Sequence, residues 1–180
     1  LCMAGWIHYY DSALLAVRLN PIHAGFSNPR LWEFRPSGRE LHELGVKSGA
    51  KQGTTIREID VPVVSLEQRI RFAILCARAV YREPGWCAWA EAWLTGADRT
   101  AAAARLSLAS LISAYSAPIA ATEAALSAAL ITIDAVGIDG ITEAMVVAAA
   151  AIDAAAAAAY HSVPPVPLEL AALAKYACST

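Results

Sequence analysis

An excess of charge is the first thing this sequence lacks. Fourteen Lys and Arg stand against sixteen Asp and Glu, for a formal net charge of −2. A nucleic-acid binder of the usual kind needs a basic surplus, so no nucleic-acid partner is expected. Cysteine is scarce, with Cys2, Cys76, Cys87 and Cys178 the only four in 180 residues. A disulfide scaffold is therefore excluded, and a reducing, cytoplasmic setting is the expectation. Long hydrophobic runs are missing too. The longest uncharged stretch, Leu106–Thr122, carries four Ser, a Tyr and Pro118. A membrane-spanning helix needs about 20 strongly apolar residues, so no span is expected. The first residues lack a Lys/Arg n-region, and no secretory leader is expected.

Chemical signatures are absent as well. His8, His23, His42 and His161 lie far from one another and from any ligand-spaced cysteine, so neither metal nor cofactor is expected. No glycine-rich phosphate loop and no G-x-S-x-G elbow occurs. Pairs such as Glu40/Glu43 and Asp139/Glu143 read as solvated surface acids. No catalytic residue can be named.

What the chain does have is apolar mass. Hydrophobic residues make up 57% and charged residues 17%, against about 45–50% and 25% in average soluble domains. The two halves differ. Residues 1–100 hold 12 of the basic side chains and all five Trp, while from Ala97 onward 30 of 84 residues are Ala. Alanine is the strongest helix former, and large apolar residues recur among the alanines at helical intervals. The fold expected is all-α: an Ala-rich antiparallel helical bundle over residues 65–180, with a less regular segment, 1–64, packed on it.

The clearest helix is predicted from Leu66 to about Arg82. Ser65 and Gln68 have capping-box spacing, and Leu66, Ile70, Ala73, Ile74, Ala77, Val80 and Tyr81 fall on one helical face. Arg71, Arg78 and Arg82 line another. A second helix, from about Trp86 to Leu94, puts Trp86, Trp89 and Trp93 on one side, predicted to be buried against the first. Gly96 and Asp98 read as the end of that helix and the cap of the next. Further helices are predicted from Arg99 to about Ala135 with a bend at Pro118, to about His161 after a break at Gly137 and Gly140 with Asp139 or Thr142 as cap, and from Leu168 to Cys178 after the Pro-rich connector 163–167. In the first segment, Trp6, Tyr10, Ala13, Leu14 and Val17 suggest a helix stopped at Asn20-Pro21, and a short helix is expected near Gly38–Leu44. Ile59, Val61 and Val63 alternate as an edge strand or an extended linker would, since Pro62 cannot donate to a ladder.

The run from Ser65 to Val80, with Arg71–Ala77 at its centre, resembles the first helix of immunity proteins from bacterial polymorphic toxin systems. Ala88–Gly96, with Trp93 before Gly96, and Ala171–Ala177, with its Tyr176, resemble two later helices of that family. The likeness spans about residues 65–178. It implies an α-helical, non-enzymatic cytoplasmic protein that neutralises a cognate toxin by stoichiometric binding, and it brings no functional residues with it. Arg71, Arg78 and Arg82 are the candidate partner-binding residues, read as an exposed basic face. Two other readings stay open. One is a helical enzyme or ligand-binding protein whose site is assembled from distant segments; the other is an oligomeric structural protein.

Overall fold

The computed structural model describes residues 4–43, 45–113, 119–134, 141–161 and 168–179. Among these are three strands and seven helices: β1 (Ile7–Tyr9), α1 (Ala13–His23), β2 (Leu31–Glu43), β3 (Lys47–Ile59), α2 (Leu66–Val80), α3 (Pro84–Thr95), α4 (Ala101–Ser113), α5 (Ile119–Asp134), α6 (Ile141–His161) and α7 (Leu170–Tyr176). The all-α bundle expectation is overturned. An antiparallel sheet of order β1-β3-β2 lies within the first segment, and the fold is α+β. The expected bend at Pro118, break at Gly137 and Gly140, cap at Asp139 and Pro-rich connector lie outside the described residues.

The sheet went unread because its signals look like loop signals. Pro36, Gly38, Gly45, Gly49 and Gly53 punctuate β2 and β3, yet the two strands pair from Leu31↔Ile59 to Glu43↔Lys47. The turn closes through the Val46 N–H and the Glu43 carbonyl, 2.9 Å apart, with Gly45 at φ 70°. Gly38, at φ 76°, sits at the register shift between Ser37 and Glu40. A left-handed glycine there makes the bulge at little steric cost. The predicted helix near Gly38–Leu44 is therefore strand. Trp6 precedes β1 and is not helical, while α1 starts at Ala13 under a Ser12 cap that accepts the Leu14 N–H at 3.2 Å. It runs through Pro21 to His23. The alternation seen at Ile59, Val61 and Val63 belongs to strand only at its start, since β3 ends at Ile59.

From residue 65 onward the helices follow the sequence. Ser65 and Gln68 form the capping box, and Gly96 ends α3 in the left-handed conformation at φ 81°. Thr100, rather than Asp98, lies directly before α4 and accepts the Ala103 N–H at 3.2 Å; Asp98 in turn accepts from the Thr100 N–H at 2.9 Å. Helix α2 is central, packing against α3, α5, α6 and α7, and α6 packs also on α1 and α5. Trp86, Trp89 and Trp93 are buried, as expected. The Trp86 indole N–H donates to the Ala125 carbonyl at 3.1 Å, tying α3 to α5. Ala124, Ala125, Ala128 and Ala129 of α5 and Ala148, Ala151, Ala155 and Ala156 of α6 are buried in the same core, where small side chains let helix backbones approach closely.

The turn end of the hairpin enters this core. Val46, Lys47, Ser48 and Ala50 are buried, whereas Lys51–Glu58 are exposed on both faces of the strand. Beyond that anchor, β2 and β3 project as a ribbon. Among the described residues no helix is long and apolar enough to cross a membrane.

Candidate functional site

Between α1 and the projecting ribbon lies an open groove of about 580 Å³, within the size range of ligand and peptide clefts. Its walls come from four pieces of the first 59 residues: β1 and its exit, α1, the loop 24–30, and the outer ends of β2 and β3. Ala13, Ala16 and Val17 supply small apolar groups on the α1 side, and Tyr9, Tyr10, Phe26, Trp32 and Phe34 supply rings.

Most of these rings are fixed. Tyr9 packs at 5.5 Å from the Phe34 ring, and its hydroxyl donates to Glu40 at 2.6 Å. Burial, and then the Glu40 carboxylate, push that hydroxyl up from its ordinary value. The Phe34 ring also covers Gly53, where a Cβ would clash with the ring edge and with the Arg35 carbonyl. Tyr10 is hydrogen-bonded to His23 Nδ1 at 2.8 Å with the rings stacked, which pins the last turn of α1 to the end of β1. Asn20 clamps the loop: its amide donates to the Phe26 carbonyl at 2.9 Å, and its oxygen accepts the Phe26 N–H at 3.1 Å. Phe26, 65% exposed, is thereby presented from a backbone that cannot swing freely.

Two ion pairs stand at the groove, and Asp11 lines it beside them. Arg57 pairs with Glu33 at 2.7 Å across the two strands. Arg30 binds Glu58 through Nε at 2.8 Å and Nη2 at 2.5 Å, and stacks over Trp32 at 5.4 Å. These contacts raise both arginines and lower Glu58 from their ordinary values. Ser12, which could have been a nucleophile, is spent on capping α1. The arrangement offers aromatic area with a polar rim of two ion pairs and Asp11. Among the described residues no group of three or more His, Cys, Asp or Glu is placed to hold a metal ion.

The three arginines expected on an exposed face are not brought together. Arg71 is buried, with Nη1 donating to the Leu94 carbonyl at 3.1 Å and its guanidinium over Tyr176 at 5.8 Å. Its exposure is a correction: α7 and the end of α3 cover a face that periodicity along α2 alone leaves to solvent. Arg78 pairs with Glu91 of α3 at 2.5 Å. Arg82 turns back on its own helix, donating to the Arg78 and Ala79 carbonyls. Sequence reasoning also passed over Arg69, which is buried and donates to the Val17 carbonyl of α1 at 3.2 Å. Burial, and then the neighbouring Arg18, push its guanidinium down from its ordinary value. The groove residues were missed because their segments meet only in the fold. The one available signal was aromatic density, with Trp6, Tyr9, Tyr10, Phe26, Trp32 and Phe34 crowded into 34 residues.

No protein-family model matches this chain, and no curated protein or solved structure shows significant similarity to it.

Proposed function

We propose that this protein is a non-enzymatic cytoplasmic binding protein that holds a protein partner stoichiometrically, in the manner of an immunity protein, and that the groove between α1 and the β2–β3 ribbon receives the partner. The observation that carries this reading is the groove's composition. Exposed rings, Phe26 at 65% and Trp32 at 44%, stand beside ion pairs that are already closed. Such a surface favours a largely apolar partner segment, because a group aimed at either ion pair would have to break it, and leaves Asp11 as the acidic group open to a basic one. Aromatic anchors in a fixed setting are also the residues that dominate interface energetics.

The arginines support a narrower version of the sequence reading. Arg78 and Arg82 keep partly exposed positions at the α2–α3 corner and remain candidates for a secondary contact, while buried Arg71 is dropped.

The test is co-expression of the full chain with the toxin product of a neighbouring locus, read as survival and as a co-purifying complex. Wild type should protect, and Phe26→Ala with Trp32→Ala should weaken capture by at least about tenfold, a loss of about 1.4 kcal/mol. Absence of both protection and any co-purifying partner overturns the reading. Full capture by the double variant removes the groove from it.

A further inference from the structure

Arg18 sits on the inner side of α1, 1% exposed. Its guanidinium lies over the Phe72 ring at 4.8 Å, and its Nη2 donates to the sulfur of Cys178 at 3.2 Å. Nε and Nη1 are buried with no hydrogen-bond partner. Among the described residues no carboxylate pairs with this cation, and its charged neighbour, Arg69, repels it. A buried guanidinium is normally matched by an anion and by acceptors for its remaining N–H groups. Here the group it reaches is a thiol, a weak acceptor.

The cysteines differ in what surrounds them. Cys76 is fully buried, and burial pushes its thiol far up. Cys87 is half-buried and donates to the Tyr81 carbonyl at 3.7 Å; burial pushes its thiol up and outweighs Arg82 and Arg78 nearby, neither of which is hydrogen-bonded to its sulfur. Cys178 alone among the described cysteines combines partial solvent access with a guanidinium hydrogen-bonded to its sulfur. Electropositive, partly exposed surroundings of this kind mark reactive thiols, as fully buried apolar ones mark inert thiols.

We propose that Cys178 is a peroxide-oxidation site, with Arg18 as the positioning residue that receives the oxygenated sulfur. The oxidant is hydrogen peroxide or an organic hydroperoxide. The sulfur attacks one peroxide oxygen, so an S–O bond forms as the O–O bond breaks. Sulfur loses two electrons and becomes sulfenic acid. The thiol proton passes to the departing oxygen, which leaves as water or as the alcohol. Negative charge develops on the departing oxygen as the sulfur attacks, and the positive charge of Arg18 lies next to the reacting sulfur. The product then offers the guanidinium an oxygen acceptor in place of a thiol. Oxidation would strengthen the tie between α1 and the end of the chain beyond α7.

The experiment treats the full-length folded protein with hydrogen peroxide in the presence of a sulfenate-trapping dione, followed by peptide mass spectrometry of each cysteine. Cys178 is expected to be trapped at least about tenfold faster than Cys87, and faster than Cys178 itself in urea-unfolded protein. In Arg18→Met, Cys178 trapping should slow by about tenfold while Cys87 is unchanged. The comparison with urea needs no variant, so it decides the matter even where Arg18→Met does not fold. Trapping of Cys178 in the folded wild type that is no faster than in urea, or no faster than at Cys87, overturns the proposal. So does an unchanged rate in a folded Arg18→Met.

Discussion

Trp86→Ala removes the side chain that joins three elements of the core. Trp86 has no solvent exposure. Its ring meets Tyr81 edge-on at 5.6 Å and Trp89 at 5.6 Å, and its N–H is spent on Ala125 of α5. Truncating a buried Trp to Ala typically costs about 3–5 kcal/mol from lost burial and the cavity left behind. The upper end is expected here, because the surrounding alanines are too short to collapse into the space. Trp86→Phe separates the contributions. It keeps most of the ring and loses the donor, so about 1–2 kcal/mol is expected from the broken hydrogen bond and a smaller void. The assay is urea unfolding followed by far-UV circular dichroism, which does not depend on which Trp remains. A domain of this size holds about 5–15 kcal/mol in total, so Trp86→Ala should move the midpoint far toward zero denaturant. A loss below about 1 kcal/mol with an unchanged slope would refute the packing described for α3 against α5.

Arg71→Glu and Arg78→Glu should separate cleanly in the same unfolding assay. The first buries a carboxylate where Leu94 accepts a hydrogen bond and should cost about 3–5 kcal/mol, the second about 0–1 kcal/mol; equal effects would contradict the burial of Arg71. Gly53→Ala drives a methyl into the Phe34 ring and should cost about 1–3 kcal/mol, and Phe34→Ala in the same chain should relieve part of that loss, which a double-mutant cycle would show. The Asp98 carboxyl is held below its ordinary value by the Thr100 N–H and then by the Thr100 hydroxyl. Its contribution to stability is therefore present above about pH 4 and lost as pH falls through the lower folded value. Asp98→Asn should flatten the acid limb of stability against pH, and an unchanged limb would remove Asp98 from it.

The helices of the second half were legible because their determinants are local. The Ser65/Gln68 box, the spacing of Trp86, Trp89 and Trp93, and Gly96 act within a few residues of one another, and each appears where the spacing puts it. The sheet was not legible. Its pairing links Leu31 to Ile59 and Ile7 to Ala50, and glycines that read as loop punctuation serve as turn, bulge and ring-covered strand positions. The arginines failed for a related reason. Which side of α2 is solvated depends on α1, α6 and α7, so a stripe that is polar in sequence is partly interior in the fold. The groove needed both pieces of non-local information at once.

The projecting ribbon also bears on self-association. Strand β2 is an edge of the sheet and runs for 13 residues, Leu31–Glu43. An uninterrupted edge of that length would invite a second copy to add its own strand and so begin aggregation. Three features work against it. Pro36 removes a backbone donor midway along the strand, register shifts after Glu33 and after Ser37 break the regular ladder, and Glu33, Arg35, Arg39 and Glu40 place charges of both signs along the edge. The same irregularities that hid the strand from a reading of the sequence are thus its defence against self-association.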